Sequence, residues 1–173
     1  GARALIAEAT ERAYDMILSL RPSALDDLGL APALRAHAER ALKDSGVRLE
    51  LDSHSLTRRL PPEMEVTLFR TFQEALTNVV RHAGAKQVRL VLAVNNGAFE
   101  GEISDDGRGF DVDEIQALVS THAGGNGHGR RGLGLLGMQE RIAQCCGTLT
   151  IASQPGAGSR LHIRIPLAED DCG

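Results

Sequence analysis

Between Gln87 and Ile103 the chain alternates apolar and polar residues on both sides of an Asn95-Asn96-Gly97 turn. Val88, Leu90, Leu92 and Val94 share one face, and Phe99, Gly101 and Ile103 continue the pattern beyond the turn. Strand side chains point alternately to opposite faces, so a period of two predicts an antiparallel hairpin with one buried face. An Asn-Gly pair is the strongest short signal for the tight turn joining such strands. That buried face needs a second layer, and the flanking sequence offers helices. Phe69, Phe72, Leu76, Val79 and Val80 form one broad apolar face before the hairpin, and Leu135, Leu136, Met138 and Ile142 recur after it.

The rest of the chain extends this pattern. Ile6, Ala9, Ala13, Met16, Ile17 and Leu20 mark a helix over Ala2 to Leu20, whose stripe either packs on the main domain or seams with a second molecule. Pro22 stops it, because the residue before a proline disfavours helix. Residues 21–30 read as a tight connector. A helix follows from Leu30 to about Ser45, with Leu34, Ala38, Ala41 and Leu42 inward and Gly46 past its end. Val47, Leu49 and Leu51 alternate with Arg48, Glu50 and Asp52 as a half-buried strand. Leu60-Pro61-Pro62 leads into the Phe69–Val80 helix, proline suiting a first turn. After the hairpin come a short helix around Val112 to Val119, a glycine-rich loop from Ser120 to Arg131, a helix from Gly132 to Cys146 and two more strands. These last carry Leu149 and Ile151, then Leu161, Ile163 and Ile165, and Pro166 ends them. The order predicts an α+β fold, a two-layer sandwich of a mixed, mostly antiparallel sheet and three main helices, with the N-terminal helix as an appendage. A long glycine-rich loop within such a domain is usually functional.

Composition narrows the function. A chain of 173 residues is one domain with an appendage. A net charge of −4, one Tyr and no Trp give no electrostatic or stacking case for nucleic acid or an anionic membrane. No apolar run approaches the ~20 residues that span a bilayer. Cys145, Cys146 and Cys172 have neither zinc spacing nor an even count, and read as reduced cytosolic thiols. Gly1 opening directly onto a helical pattern reads as a cloning remnant, so an inner-membrane anchor of a parent protein would lie outside these residues.

Three stretches carry chemistry. Arg70, Glu74, Asn78, Arg81 and His82 share the polar face of the Phe69–Val80 helix. An acid, an amide and basic groups together could hold a hydrated metal and phosphates; an ordinary solvated helix surface has the same pattern. Ile103-Ser104-Asp105-Asp106-Gly107-Arg108-Gly109-Phe110 places an Asp-x-Gly-x-Gly after a strand. Glycines there let a ligand approach the backbone, and a carboxylate can accept a bond from an exocyclic amine. Gly132-Leu133-Gly134-Leu135 opens a helix, whose free N–H groups and dipole favour phosphate. The same stretch formally reads G-x-G-x-x-G, but it follows a loop and lacks an acid about 20 residues on, so the dinucleotide reading fails. No G-x-x-x-x-G-K-[ST] occurs, which excludes P-loop chemistry.

An Asn-bearing helix, Asp-x-Gly-x-Gly and Gly-x-Gly-Leu, in this order over roughly Leu60 to Leu167, resemble the nucleotide site of the GHKL ATPase superfamily and its Bergerat fold. Leu20-Arg21-Pro22 followed by Leu25-Asp26-Asp27-Leu28-Gly29-Leu30, with Asn78-Val79-Val80-Arg81-His82-Ala83, is similar to nitrate-sensor-type sensor histidine kinases. The resemblance implies ATP and Mg²⁺ as cofactors. It implies adenine on Asp105, with Ser159 standing where the family often has Thr beside that Asp. Asn78 would take the metal and Glu74 would act catalytically. Arg81, His82, Gly107, Gly109, Gly132, Leu133, Gly134 and Leu135 would complete the nucleotide site, and Ser120–Arg131 would be the lid.

By this resemblance residues 1–22 are the C-terminal part of a dimerisation helix, 23–29 a connector, 30–168 the ATP-binding domain and 169–173 a tail. The γ-phosphoryl would pass to a His on a dimerisation helix of a cytoplasmic homodimer, then to a response-regulator receiver domain. The family's acceptor His precedes an acidic residue. His37, His54, His82, His122, His128 and His162 precede Ala, Ser, Ala, Ala, Gly and Ile. None fits, so the chain is expected to lack the acceptor and not to phosphorylate itself. Two alternatives stay open. One is a GHKL-type ATPase or anti-sigma-like serine kinase, which the Leu-Arg-Pro connector argues against. The other is a non-catalytic interaction module, which intact Asn78, Asp105 and glycine clusters argue against.

Overall fold

A computed structural model describes residues 23–115 and 133–167. The expected helix over 2–20, the loop 120–131, Gly132, Cys172 and the tail lie outside the described residues. The elements are α1 (Ser23–Leu28), α2 (Leu30–Leu42), β1 (Arg48–Ser55), α3 (Pro62–Asn78), a π-helical turn (Val79–Ala83), β2 (Gln87–Asn95), β3 (Ala98–Asp105), α4 (Leu133–Gln144), β4 (Thr148–Ser153) and β5 (Ser159–Pro166). A further helical turn begins at Val112.

The five strands lie in the order β1-β2-β3-β5-β4. β1 runs parallel to β2, and the other pairs are antiparallel. Parallel neighbours need a crossover, and α3 supplies it. The β2–β3 hairpin closes at Asn96 and Gly97, with φ of 48° and 69° and Asn95 opposite Ala98. Two consecutive positive φ angles are what a tight two-residue hairpin requires, and Asn-Gly tolerates them.

One face of the sheet carries the core. Leu68, Phe72 and Leu76 of α3 are fully buried against Val88, Leu90, Phe99 and Ile163, while Met138 and Ile142 bring α4 into the same cluster. The other face is polar, crossed by Arg89–Glu50, Arg160–Glu102 and Arg164–Glu100 pairs at 3.2, 3.6 and 3.9 Å. These exposed pairs each add little stability. Their main effect is to leave the helical layer on one side, which is the expected two-layer α+β sandwich.

Four local readings change. The connector contains a helical turn, α1, whose Leu25 joins the core at 1 % exposure. α2 stops at Leu42, three residues early, because the Ser45 N–H and hydroxyl both donate to the Leu42 carbonyl. β1 continues past Asp52 to Ser55 across a register irregularity against β2. Val80, expected on the apolar face, is 41 % exposed. The π turn beginning at Val79 has i→i+5 bonding and more residues per turn, so it departs from the period that aligned Val80 with Phe72 and Leu76.

Candidate functional site

The end of β3 is built around Asp105. Alternation along the strand turns Asp105 to the same side as Ile103, towards the helical layer, and Ser159 lies opposite it on β5. Its Oδ1 accepts the Gly107 N–H at 2.8 Å, and its Oδ2 accepts a short hydrogen bond from the Ser159 hydroxyl. Each carboxylate oxygen has a second lone pair, so Asp105 is oriented by the protein and can still accept from a ligand.

Asp106 is committed elsewhere. Its Oδ1 takes the Lys86 and Gln87 N–H groups at 2.7 and 2.9 Å, anchoring the start of β2. The Gln87 bond, then the Lys86 bond, hold its carboxyl below the ordinary carboxylate range. The two adjacent acids therefore divide their work: one ties strands together, the other faces the helices.

The glycines differ in what they permit. A Cβ on Gly107 would stand 2.5 Å from the Ala83 carbonyl oxygen and 2.6 Å from Asp105 Oδ1, so this glycine allows close approach. Gly109 has φ 60°, and a Cβ there would meet the Gln154 carbonyl oxygen at 2.0 Å. It requires both the left-handed conformation and the empty space. Around them, Arg108 N–H donates to Ala83 O at 2.8 Å, and Gly156 N–H to Arg108 O at 2.6 Å. The loop is thus stitched to the end of the π turn on one side and to the β4–β5 hairpin on the other.

Ser153 was not singled out from sequence. Its Oγ accepts the Phe110 N–H at 2.9 Å and donates to Gly158 O at 2.9 Å, fastening the loop to the hairpin. Only its place on β4, within reach of a loop 43 residues earlier, gives it this part, and no local pattern announces that. Asp111 does carry a local signal: its carboxylate accepts the Asp113 and Glu114 N–H groups and caps the turn at Val112.

α3 and α4 pack against each other. A Cβ on Gly134 would lie 2.5 Å from Glu74 Oε1, so the Glu74 carboxylate rests on the first turn of α4. Asn78, half-buried, ends α3 one turn later, where the π turn begins. π-helical turns are rare and concentrate at functional sites. Arg81 and His82 are exposed on that turn. Leu133 opens α4, and Leu135 packs against the core, so its part is to seat the helix. The structure thus joins Asp105, Gly107 and Ser159 at the end of β3, with Gly109 against the β4–β5 turn and Gly107 against Ala83 of the π turn that follows Asn78, while Glu74 meets Gly134 where α3 packs on α4. A separate concavity of about 790 Å³ borders Asp105 and Ser159 and is lined largely by the polar sheet face, including Arg89, Ser104 and Arg160; Glu74 and Asn78 are not on it.

This arrangement suits a purine and its phosphates. A glycine-floored loop beside an oriented carboxylate leaves room for a ring carrying an exocyclic amine. Among the described residues no three His, Cys, Asp or Glu side chains gather in a metal-binding group. A divalent cation here would use the Asn78 amide oxygen, phosphate oxygens and water, the ligand set Mg²⁺ favours.

Residues 63–169 match the profile of the histidine kinase-, DNA gyrase B-, and HSP90-like ATPases. The chain belongs to this family. Among curated relatives, the histidine-protein kinase/phosphatase DegS of Bacillus subtilis is 33% identical over 86% of the chain and 37% of its own length. The sensor histidine kinase MctS of Rhizobium johnstonii is 40% identical over 85% of the chain and 30% of its own length. The oxygen sensor histidine kinase NreB of Staphylococcus carnosus is 32% identical over 90% and 41%. The chain therefore spans well under half of each of these relatives. The histidine kinase domain of the Erythrobacter litoralis EL346 blue-light activated histidine kinase superposes with a TM-score of 0.63 at 22% identity, covering 80% of this chain and 61% of that one. At that identity the likeness is one of fold. Together with the connector and Asn motifs, these relatives make the chain a GHKL histidine-kinase catalytic domain of the nitrate-sensor type, in an ATP-binding family. Among the described residues no helix is long and apolar enough to cross a membrane.

Proposed function

We propose that this domain binds Mg-ATP and delivers its γ-phosphoryl group to a histidine on a dimerisation helix, for relay to an aspartate of a response-regulator receiver domain. The observation that carries the reading is the Asp105 carboxylate, oriented by Gly107 N–H and the Ser159 hydroxyl beside the glycine loop.

In this reading Asp105 accepts the adenine amine, and Gly107 and Gly109 leave the ring its space. Asn78 holds the cation, and Arg81 and His82 lie towards the phosphates. Leu133 and Gly134 open α4, and Gly132 precedes them in the chain; free N–H groups and the helix dipole at a helix start favour phosphate oxygens. The bound nucleotide supplies the activated phosphoryl group, and the cation offsets its charge. As the P–O bond to ADP breaks and the P–N bond forms, the imidazole gives up a proton, which Glu74 takes in this reading. Catalysis of this kind rests mostly on positioning and charge neutralisation.

The acceptor histidine belongs to a dimerisation helix outside these residues, and residues 1–22 are the C-terminal part of a dimerisation helix, in a homodimeric parent in the cytoplasm and free of nucleic acid. Supplied with such a helix and labelled ATP, the domain should form phosphohistidine, stable to base and labile to acid. Asn78→Ala should abolish Mg²⁺-dependent nucleotide binding with an unchanged melting temperature. Unaltered affinity in that variant would remove Asn78 from its role.

A further inference from the structure

The connector is held by a polar network at the opposite end of α3 from the nucleotide residues. Arg59 donates from Nε and Nη2 to Glu65 Oε1 and Oε2 at 3.0 and 2.9 Å, a two-pronged fork. Glu65 is 3 % exposed and also accepts the Leu60 N–H. The same Arg59 Nη2 reaches the Leu25 and Asp26 carbonyls at 3.1 and 3.4 Å. These are carbonyls near the C-terminal end of α1, where the helix dipole favours a cation; Leu25 O also accepts the Gly29 N–H. Gly29 has φ 85°, and a Cβ on it would stand 3.1 Å from Arg59 Nε, so the guanidinium lies against the connector backbone. Leu25, Leu30 and Leu60, all nearly inaccessible, lie in the same core cluster.

We infer that Arg59 is a positioning residue, locking the connector helix to the N-terminal end of α3 so that the chain enters the domain at Ser23 in a fixed direction. α3 runs unbroken from this lock to Asn78, thirteen residues on, or roughly 20 Å at a helical rise. The entry direction and the nucleotide residues are therefore set by one rigid element. Resting on the phosphoryl-transfer reading, this makes α1 part of the catalytic body. A planar guanidinium forks a carboxylate and reaches two carbonyls at once; a lysine is a point charge and does not.

Arg59→Ala alone would strand the buried Glu65 carboxylate and could unfold the domain. The decisive variant is Arg59→Met with Glu65→Leu, since an apolar pair of similar volume commonly preserves a fold that held a buried ion pair. Amide hydrogen exchange is read on the whole chain. The Gly29 N–H, bonded to Leu25 O at 3.1 Å, should exchange faster in the variant by on the order of tenfold, while Phe72 within α3 keeps its protection. Unchanged exchange at Gly29 would overturn the lock. Equal loss at Gly29 and Phe72 would overturn it too, showing a general stabilising pair. Both readings need no nucleotide, so a chain that failed to bind ATP in either form would count against the proposed function and leave the exchange result to decide the lock.

Discussion

Replacing Gly107 with alanine tests whether the 105–110 loop is closed by backbone contact. The added Cβ would stand 2.5 Å from the Ala83 carbonyl oxygen, 2.6 Å from Asp105 Oδ1 and 2.8 Å from Ala83 Cβ. Carbon atoms pack comfortably at about 3.5–4.0 Å, so the loop must retreat from the π turn by roughly an ångström. Two of the three obstructions belong to Ala83, which has no flexible side chain to swing away. The retreat stretches the Arg108 N–H bond to Ala83 O and tilts Asp105 away from the Gly107 N–H. Overpacking of this sort costs about 1–3 kcal/mol, and each weakened hydrogen bond about 1 kcal/mol. A loss of about 3–5 kcal/mol follows, a fall in melting temperature on the order of 10 °C for a domain this size. ATP affinity should fall with it, because Asp105 moves. Gly84 is the control: its φ is 60° but no atom lies within 4 Å of a Cβ. Gly84→Ala should cost about 1–2 kcal/mol, the left-handed penalty alone, and keep nucleotide binding. Thermal melts by circular dichroism and calorimetric ATP titrations read both. A Gly107→Ala domain that melted like the parent and bound ATP equally would refute the close-contact account.

Other outcomes follow from the same geometry. Gly134→Ala would meet only the movable end of Glu74, so stability should change by no more than about 1 kcal/mol while phosphoryl transfer falls; a large drop in melting temperature would show that the contact is rigid. Ser159→Ala removes one donor to the Asp105 carboxylate, a bond to a charged group worth about 1.5–3 kcal/mol, and should weaken ATP binding by on the order of tenfold at unchanged fold. His37 is half-buried edge-on to Phe69, with ring centroids 5.6 Å apart. Burial first, and Arg40 second, push its pKa below the ordinary 6.5. The unfolded chain then binds a proton that the folded chain refuses, so stability should fall as pH drops below 6.5 and level off once the folded pKa is passed. Denaturant midpoints across that range should flatten in His37→Gln, and an unchanged slope would remove His37 as the cause.

Legibility varied with how local the cause was. The β2–β3 hairpin could be read because alternation and Asn96-Gly97 act within neighbouring residues. α1 escaped notice because six residues between Pro22 and Gly29 are too few to show a helical period, and what holds it, Arg59, lies more than thirty positions on. Val80 was misplaced because the apolar count assumed one period throughout, while the helix widens at Val79. At the site, the family motif already singled out Asp105 over Asp106, and the fold supplies the physical reason: Asp105 is turned to the helical layer, while Asp106 is tied to Lys86 and Gln87. The two loop glycines likewise look alike in sequence. Gly107 is required by Ala83 and Gly109 by its φ as well as by Gln154, and neither partner is near in the chain.

The central claim is that Asp105 reads a nucleotide, and titrating ATP into this chain with and without Mg²⁺ tests it most directly, beside Asp105→Asn and Asp106→Asn. The account predicts binding that tightens with Mg²⁺, is lost in Asp105→Asn, and persists in Asp106→Asn, whose amide oxygen can still accept the two N–H groups that begin β2. Equal affinity in the parent and Asp105→Asn would contradict it.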